Sequence, residues 1–272
     1  ESTLFKVELN ENVLHKIIIE TWKFINKYDR LAYEKFLNTE TDFPLADLIG
    51  HLIGTAKKRL TILTTNYDRL AEYAASKSET YICTGFSQNY IGHFSKILAE
   101  QNLSRTPGWK GQVNIWKVHG SLDWFLNENG QMNFLPAREV IPDKMTPVIV
   151  TPGPSKYKVT HDEPFRTILA EADNSIENAN GYLCIGYGFN DLHVQPKLIT
   201  QIKRSKPIIV VTKEITPKTK EVILNGQCKK YILIDQAEGS GTRIFSSYSD
   251  GELIIENVNY WKLEEFIKLI RE

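Results

Sequence analysis

The chain has 272 residues, and its 33 Lys plus Arg balance its 33 Asp plus Glu, so the formal net charge is zero. A hydrophobic fraction of 42% and a charged fraction of 24% are typical of a soluble globular protein. There is no run of about 18 or more apolar residues, so no membrane span is predicted. The even charge balance gives no indication of direct nucleic-acid binding.

The three cysteines, Cys83, Cys184 and Cys228, are widely spaced and form no C-x-x-C pair. This spacing excludes a four-cysteine zinc module within these residues, and no metal site is predicted. The sparse cysteines and the absence of a secretory leader predict a cytoplasmic location. Because the chain begins at Glu1 rather than Met, we expect an upstream segment to be missing from it.

In chain order, helical spacing of apolar residues at 14–25 is followed by helix candidates at 29–38 and 44–58. The predicted elements up to the middle of the chain are a strand at 60–65, a helix from 68 to about 75, a mixed region at 80–110, a strand at 113–118 and a hairpin turning at 127–130. Further on, strands are predicted at 148–150, 181–185, 207–212 and 231–234, and helices at 164–179, 192–202, 217–225 and 259–271.

This alternation of strands and helices predicts an α/β fold with a doubly wound, mainly parallel, Rossmann-like sheet. Residues of about 80–112 and 122–165 are expected to form a small helical and hairpin insertion lobe. The whole chain, 1–272, is predicted to be one domain.

Three short segments follow predicted strands: T-T-N-Y-D at 64–68, V-H-G-S at 118–121 and G-Y-G-F-N-D at 186–191. A parallel sheet presents such segments at its carboxyl edge, where open α/β sheets bind nucleotides. Together they would offer an amide, an imidazole and a flexible backbone loop to one ligand.

Each candidate residue also has a structural interpretation. Asn66 can orient a water molecule and bind a ribose hydroxyl, but it can equally cap the helix that follows it, as can Asp68. His119, beside Gly120, has room for a ligand and can act as a general base near neutral pH. It could instead be a structural histidine bonded to the backbone.

Gly186 and Gly188 would let the backbone approach a phosphate or ribose near a positive helix end. Position 191 is Asp, so the segment is not G-x-G-x-x-G and a Rossmann dehydrogenase is disfavoured. The chain also contains no G-x-S-x-G and no P-loop motif, which excludes an α/β-hydrolase elbow and a P-loop ATPase within these residues.

The ordered set of three motifs resembles the sirtuin superfamily, and more closely its bacterial sirtuin-like branch in antiphage defence proteins. The resemblance covers 60 to about 234. It implies that Asn66 positions the attacking water and the nicotinamide ribose and that His119 is the general base. The remaining substrate-binding residues that it implies are Thr65, Asp68, Gly120, Ser121, Gly186, Tyr187, Gly188 and Thr212.

The departures from that family also carry information. Thr65 stands where lysine-deacylating sirtuins usually have Gln, and the paired C-x-x-C motifs of their zinc module are absent. The usual G-A-G-x-S phosphate loop is also absent from the chain, and we expect it to lie upstream of residue 1 or to be lost.

The sequence therefore predicts an NAD⁺ glycohydrolase with NAD⁺ as substrate and no metal, and the resemblance implies that it acts in abortive-infection antiphage defence. The alternatives are a non-catalytic nucleotide-binding or assembly module and a protein-lysine deacylase. Restraint of a toxic NADase implies a homo-oligomer and a possible ATPase- or helicase-like protein partner. Trp22, Trp261 and the terminal helix are candidate interface residues, although burial in the core is the alternative for each.

Overall fold

The computed structural model describes residues 10–38, 42–55, 58–103, 107–150, 162–226, 228–249 and 251–271. The chain divides into two compact units, Glu1–Ala172 and Asp173–Glu272. The assignment of all 272 residues to one domain stays a prediction. Within the described ranges, no helix has the length and apolar character that a membrane crossing requires.

Two helices open the first unit, α1 (Glu11–Leu37) and α2 (Pro44–Thr55). The two helix candidates predicted before residue 38 are one continuous helix, because no Gly or Pro interrupts 11–37. Pro44 occupies the first turn of α2 as predicted, since its missing N–H needs no partner there.

The rest of the first unit alternates between strands and short helices. In chain order it comprises β1 (Arg59–Thr64), α3 (Leu70–Lys77), β2 (Tyr81–Cys83), β3 (Gly92–His93), α4 (Lys96–Ala99), β4 (Gln112–Lys117), β5 (Gly120–Asn127), β6 (Met132–Phe134), β7 (Met145–Ile149) and the first part of α5 (Phe165–Asn178).

These strands form two sheets. The first is parallel, in the order β1-β4-β2, and the second is antiparallel, in the order β3-β6-β5-β7. Helix α3 packs against β4 through small side chains, because Ala71, Ala74 and Ala75 share one core cluster with Val113 and Ile115. Alanines let the helix approach the sheet closely, which brings the loop before α3 near the end of β4.

The second unit contains one five-stranded sheet. Its elements are β8 (Tyr182–Ile185), α6 (Gln195–Lys203), β9 (Ile208–Val211), α7 (Pro217–Thr219) continued by a π-helical segment (Lys220–Leu224), β10 (Tyr231–Gln236), β11 (Thr242–Ser246), β12 (Glu252–Ile255) and α8 (Leu263–Arg271). Strands β8, β9 and β10 are parallel, and β11 and β12 extend the sheet antiparallel.

The predicted α/β class, with parallel strands and a hairpin insertion, is confirmed. Within the region predicted as an insertion at 80–112, Tyr81–Cys83 pairs with the parallel sheet as β2. The bounds of the two insertions stay predictions. The three motif-bearing strands do not share one hydrogen-bonded sheet: β1 and β4 pair with each other, whereas β8 pairs with β9. The strand predicted at 231–234 is not the last one, since β11 and β12 follow it.

The interface interpretation of Trp22 is wrong. Its side chain is completely buried in a cluster with Leu122 and Phe125, and its indole N–H donates to the Leu122 carbonyl at 2.8 Å. Trp261 is half-buried, and its indole N–H donates to the Asn259 side chain at 3.2 Å.

A buried charge network lies along α3. Arg69 and Asp29 form an ion pair at 2.6 Å with side chains 4% and 0% exposed. One turn further on, Glu72 pairs at 3.3 Å with Lys117, which is 1% exposed. Burial raises the pKa of Glu72 to about 7, Lys117 opposes this rise, and the negative charge of Asp123 adds to it.

Gly120 begins β5 in a backbone conformation that few other residues adopt. Its φ is +87°, and a Cβ atom there would lie 2.2 Å from the carbonyl oxygen of Val148 in β7. Gly130, in the hairpin turn, has a similar φ of +74° but no heavy atom within 4 Å of the same position. Of these two glycines, Gly120 alone is required by close packing as well as by its φ angle.

The raised pKa of Glu72 predicts that stability falls as pH rises. The folded protein holds this proton up to about pH 7, whereas a glutamate in the unfolded chain loses it near pH 4.5. Its contribution to stability is therefore complete below pH 4.5 and is lost as pH rises through 7, by about 3 kcal/mol. Urea unfolding between pH 4.5 and 8 should show a shallower fall for Glu72→Gln than for the wild type. The exposed Glu79→Gln is the control, and equal slopes for all three proteins would contradict the assignment.

Gly120→Ala should destabilise the protein more than Gly130→Ala does. Both variants place a side chain at positive φ, which costs about 1–2 kcal/mol, but only Gly120→Ala adds a clash with the Val148 carbonyl, for about 3 kcal/mol or more in total. Equilibrium urea unfolding of the two variants measures the difference. Equal losses in the free energy of unfolding would show that the β5–β7 contact has room for a methyl group at position 120.

Candidate active site

Asn66 and His119 each follow the carboxyl end of a strand in the first sheet. The β1–β4 register pairs Thr64 with Lys117, so each candidate residue stands two positions beyond a register pair. The amide of Val118 donates to the Thr64 carbonyl at 3.3 Å, which extends the pairing beyond the strands. Since neighbouring strands are about 4.8 Å apart, one small ligand can contact both residues.

The buried ammonium of Lys117 fixes the loop that carries Asn66. Its Nζ donates to the carbonyl of Tyr67 at 3.4 Å and makes a short hydrogen bond to the carbonyl of Asp68. The carboxyl group of Glu72 lies 3.3 Å from the same Nζ and supplies the opposite charge once it ionises, above about pH 7. A buried ammonium requires such partners, so the loop and the charge stabilise each other.

Tyr67 joins this loop to the segment around His119. Its backbone carbonyl accepts from the amide of Leu122 at 3.0 Å, and its hydroxyl donates to the carbonyl of Val150 at 2.6 Å. The amide of Val150 in turn donates to the carbonyl of His119 at 2.8 Å. Burial raises the pKa of Tyr67, so the phenol stays protonated and keeps donating.

The two central candidates have different environments. Asn66 is exposed, and its backbone amide donates to the hydroxyl of Thr64 at 3.1 Å, which leaves its side-chain amide to solvent or ligand. His119 is 8% exposed and next to the tightly packed Gly120. An exposed amide beside a shielded imidazole is an arrangement that can hold one water molecule and take its proton.

Other predicted residues around this edge are less accessible or have local roles. The side chain of Asp68 accepts from the amide of Leu70 at 3.1 Å, which is the helix-capping interpretation, and its substrate role stays a prediction. Thr65 is half-buried, and Ser121 is completely buried. The hydroxyl of Ser121 has no hydrogen-bond partner among the described residues.

The glycine segment lies in the second unit, directly after β8. Gly186 has a φ of +61°, and nothing lies within 4 Å of the position that a Cβ would take. The carbonyl of Gly188 accepts from the hydroxyl of Thr216 at 3.0 Å. Tyr187 packs against Phe189 with ring centroids 4.9 Å apart. The approach of a ligand to the backbone at Gly186 stays a prediction.

The helix that follows these glycines begins seven residues after Gly188. Helix α6 begins at Gln195, and the side chain of Asp191 accepts from the amides of His193 and Val194 at 3.0 and 3.1 Å. Those amides are therefore already satisfied by a carboxylate and do not form a phosphate site. Thr212 directly follows β9, and its hydroxyl donates to the carbonyl of Glu214 at 3.2 Å.

Sequence reasoning did not single out the positioning residues Tyr67 and Lys117. Tyr67 stood inside the T-T-N-Y-D motif, between the two residues that were considered. A signal for Lys117 was available, because a lysine inside the strand sequence V-N-I-W-K-V must find a buried partner. Across the described parts of the chain, no cluster of three or more His, Cys, Asp or Glu is placed to hold a metal ion.

Comparisons with solved structures find matches at low identity. A Sir2 homologue in complex with NAD is 18% identical, with a TM-score of 0.45, and the match covers 82% of this chain and 69% of the homologue. A mutant Sir2 homologue in complex with ADP ribose is 17% identical, with a TM-score of 0.44 and coverages of 77% and 68%. No curated protein sequence matches the chain.

A family model described as a SIR2-like domain matches residues 60–227. This range is more than half of the 272 residues and contains all three motifs, from Asn66 through His119 to Gly186 and Gly188. The chain therefore belongs to the SIR2-like domain family.

Proposed function

We propose that this chain is an NAD⁺ glycohydrolase that cleaves the nicotinamide–ribose bond to give nicotinamide and ADP-ribose. The observation that carries the proposal is the β1–β4 register, which sets Asn66 and His119 on one edge of a SIR2-like domain. The sirtuin resemblance gives these two residues the water-positioning and general-base roles.

The reaction needs little covalent help from the protein. The C–N bond between ribose and nicotinamide breaks, its electron pair goes to the ring nitrogen, and nicotinamide leaves as a neutral molecule. Positive charge develops on the ribose in an oxocarbenium-like state. Water adds to the same carbon and gives up one proton, so NAD⁺ and water yield nicotinamide, ADP-ribose and a proton.

The chain's own groups fit these demands. The exposed side chain of Asn66 can bind the ribose and the incoming water through its amide. His119 can accept the proton of that water, and its burial beside Gly120 limits access by other solvent molecules. General-base help of this kind contributes typically about 10²–10⁴-fold, and orientation on a fixed loop adds to it.

The roles of the other residues remain proposals from the resemblance. Asp68 would help hold the nicotinamide side, and Thr65, Gly120 and Ser121 would also contact the substrate. Gly186, Tyr187, Gly188 and Thr212 would serve the adenosine and phosphate side. A role in abortive infection, assembly into an oligomer and control by an ATPase- or helicase-like partner belong to the same proposal.

Two other functions make different predictions. A protein-lysine deacylase would release nicotinamide only when an acyl-lysine peptide is present, and Thr65 in place of the usual Gln disfavours it. A nucleotide-binding assembly module would bind ADP-ribose without turnover. The exposed Asn66 beside His119 favours an enzyme over such a module.

Replacement of either central residue should abolish turnover without unfolding the chain. Asn66→Ala and His119→Ala should each lower kcat/KM for NAD⁺ by at least about 100-fold, because each removes a group that acts in the transition state. The exposed His15→Ala is the matched control and should keep full activity. Nicotinamide and ADP-ribose are measured by chromatography, with and without candidate partner proteins, and folding is checked by circular dichroism.

Activity that survives in a folded His119→Ala protein would contradict the proposed base. ADP-ribose binding without any turnover, with and without the candidate partners, would favour the assembly module instead.

A further inference from the structure

A cavity of about 470 Å³ lies within the first unit, away from the candidate active-site pair. Its walls come from α1, α3, β2, β5, β6 and the loops between them, and neither Asn66 nor His119 lines it. A volume of this size is within the range of pockets that bind small molecules.

The cavity contains charged groups with unused hydrogen-bonding capacity. Asp123 is 5% exposed, and its Oδ1 has no hydrogen-bond partner among the described residues. The same holds for Oε2 of Glu72 and for one terminal nitrogen of Arg69, and all three residues line the cavity. Buried polar atoms are rarely left unsatisfied, so such a group points to a bound molecule or ordered water.

Above about pH 7, where Glu72 is ionised, the charges around the cavity leave one negative charge over. Asp29 and Arg69 balance each other in an ion pair at 2.6 Å, and Glu72 and Lys117 do so at 3.3 Å. Asp123 has no ion pair of its own in the part of the chain that the structure describes. The Arg69 guanidinium acts on Asp123 as well as on Asp29, so one cation faces two carboxylates there. An excess of buried negative charge is costly, and a ligand cation would remove that cost.

The remaining walls of the cavity are aromatic. Its lining includes Tyr73, Phe86, Tyr90, Trp109 and Phe134. Phe86 packs against Phe134 with ring centroids 6.4 Å apart, whereas Tyr90 is 89% exposed. Aromatic faces attract cations and also accept flat apolar groups, so both parts of an aryl cation would be accommodated.

We propose that this cavity binds a small organic monocation, an ammonium or amidinium group on a flat apolar body. The cation donates to Oδ1 of Asp123 and Oε2 of Glu72, and the body packs between the aromatic side chains. The evidence for this site is separate from the evidence for NAD⁺ cleavage, and its test does not depend on turnover.

Isothermal titration calorimetry at about pH 8, where Glu72 is ionised, with three molecules of one shape tests the proposal. Benzamidine, benzamide and benzoate carry charges of plus one, zero and minus one on the same planar frame. Benzamidine should bind one per chain and at least about tenfold more tightly than benzamide, and benzoate should not bind, because a buried carboxylate rewards only the cation.

Two variants and one control locate the binding. Asp123→Asn keeps the shape of the side chain and should weaken benzamidine binding at least about tenfold. Ser76→Trp places a large group at an exposed lining position of α3 and should block benzamidine, and it remains informative if Asp123→Asn fails to fold. The exposed Asp143→Asn should bind as the wild type does.

Equal affinity for benzamidine and benzamide would overturn the proposal, as would unchanged binding by folded Asp123→Asn or by Ser76→Trp. Absence of binding up to about 10 mM benzamidine would overturn it too, and would leave ordered water as the partner of these groups.

Discussion

The buried ammonium of Lys117 is the constraint on which the candidate active site depends. It stands at the end of β4, almost fully removed from solvent, and the carbonyls of Tyr67 and Asp68 together with the carboxylate of Glu72 surround it. A charge in this position must be paired, so the loop from β1 to α3 can take few other shapes. That loop carries Asn66, and the strand that carries Lys117 leads directly to His119. The burial of Lys117 thus fixes the positions of the two segments that carry Asn66 and His119.

A ring of hydrogen bonds around Tyr67 adds a second layer of support. It connects the loop after β1 to Leu122 in β5 and to Val150 after β7, and Val150 holds the backbone of His119. The close contact at Gly120 has the same effect, because the β4–β5 turn can lie against β7 only without a side chain at that position. These contacts are structural, and together they hold the segments of Asn66 and His119 in a preorganised arrangement.

Much of the framework could be predicted from the sequence, because it depends on local patterns. The β-branched run at 60–65, the hairpin turn at Gly130 and the first-turn proline of α2 each have one dominant physical interpretation. Strand β2 could not be found in this way, since only three residues pair and no periodicity develops over that length. Strands β11 and β12 were not predicted, although 242–246 contains β-branched and aromatic residues. They extend the sheet antiparallel, without the strand–helix repeat that marks the parallel strands.

The candidate site, too, could be predicted from the sequence only in part. Asn66 and His119 could be proposed from the motifs. The sequence did not reveal that Asp191 accepts from the amides of His193 and Val194, which precede the helix after Gly186 and Gly188. Pairing choices of this kind depend on three-dimensional contacts rather than on spacing. Glu72 illustrates the point further, because its ion pair with Lys117 supports the loop of Asn66 while its second oxygen faces the acidic cavity.

The central claim is that this SIR2-like chain hydrolyses NAD⁺ without an acyl-lysine substrate. The most direct test is a time course of the purified chain with NAD⁺ alone and with NAD⁺ plus an acetylated peptide, in which nicotinamide and ADP-ribose are quantified together. The account predicts equal amounts of the two products at the same rate in both reactions. Nicotinamide release that requires the peptide, with transfer of the acetyl group to ADP-ribose, would contradict it.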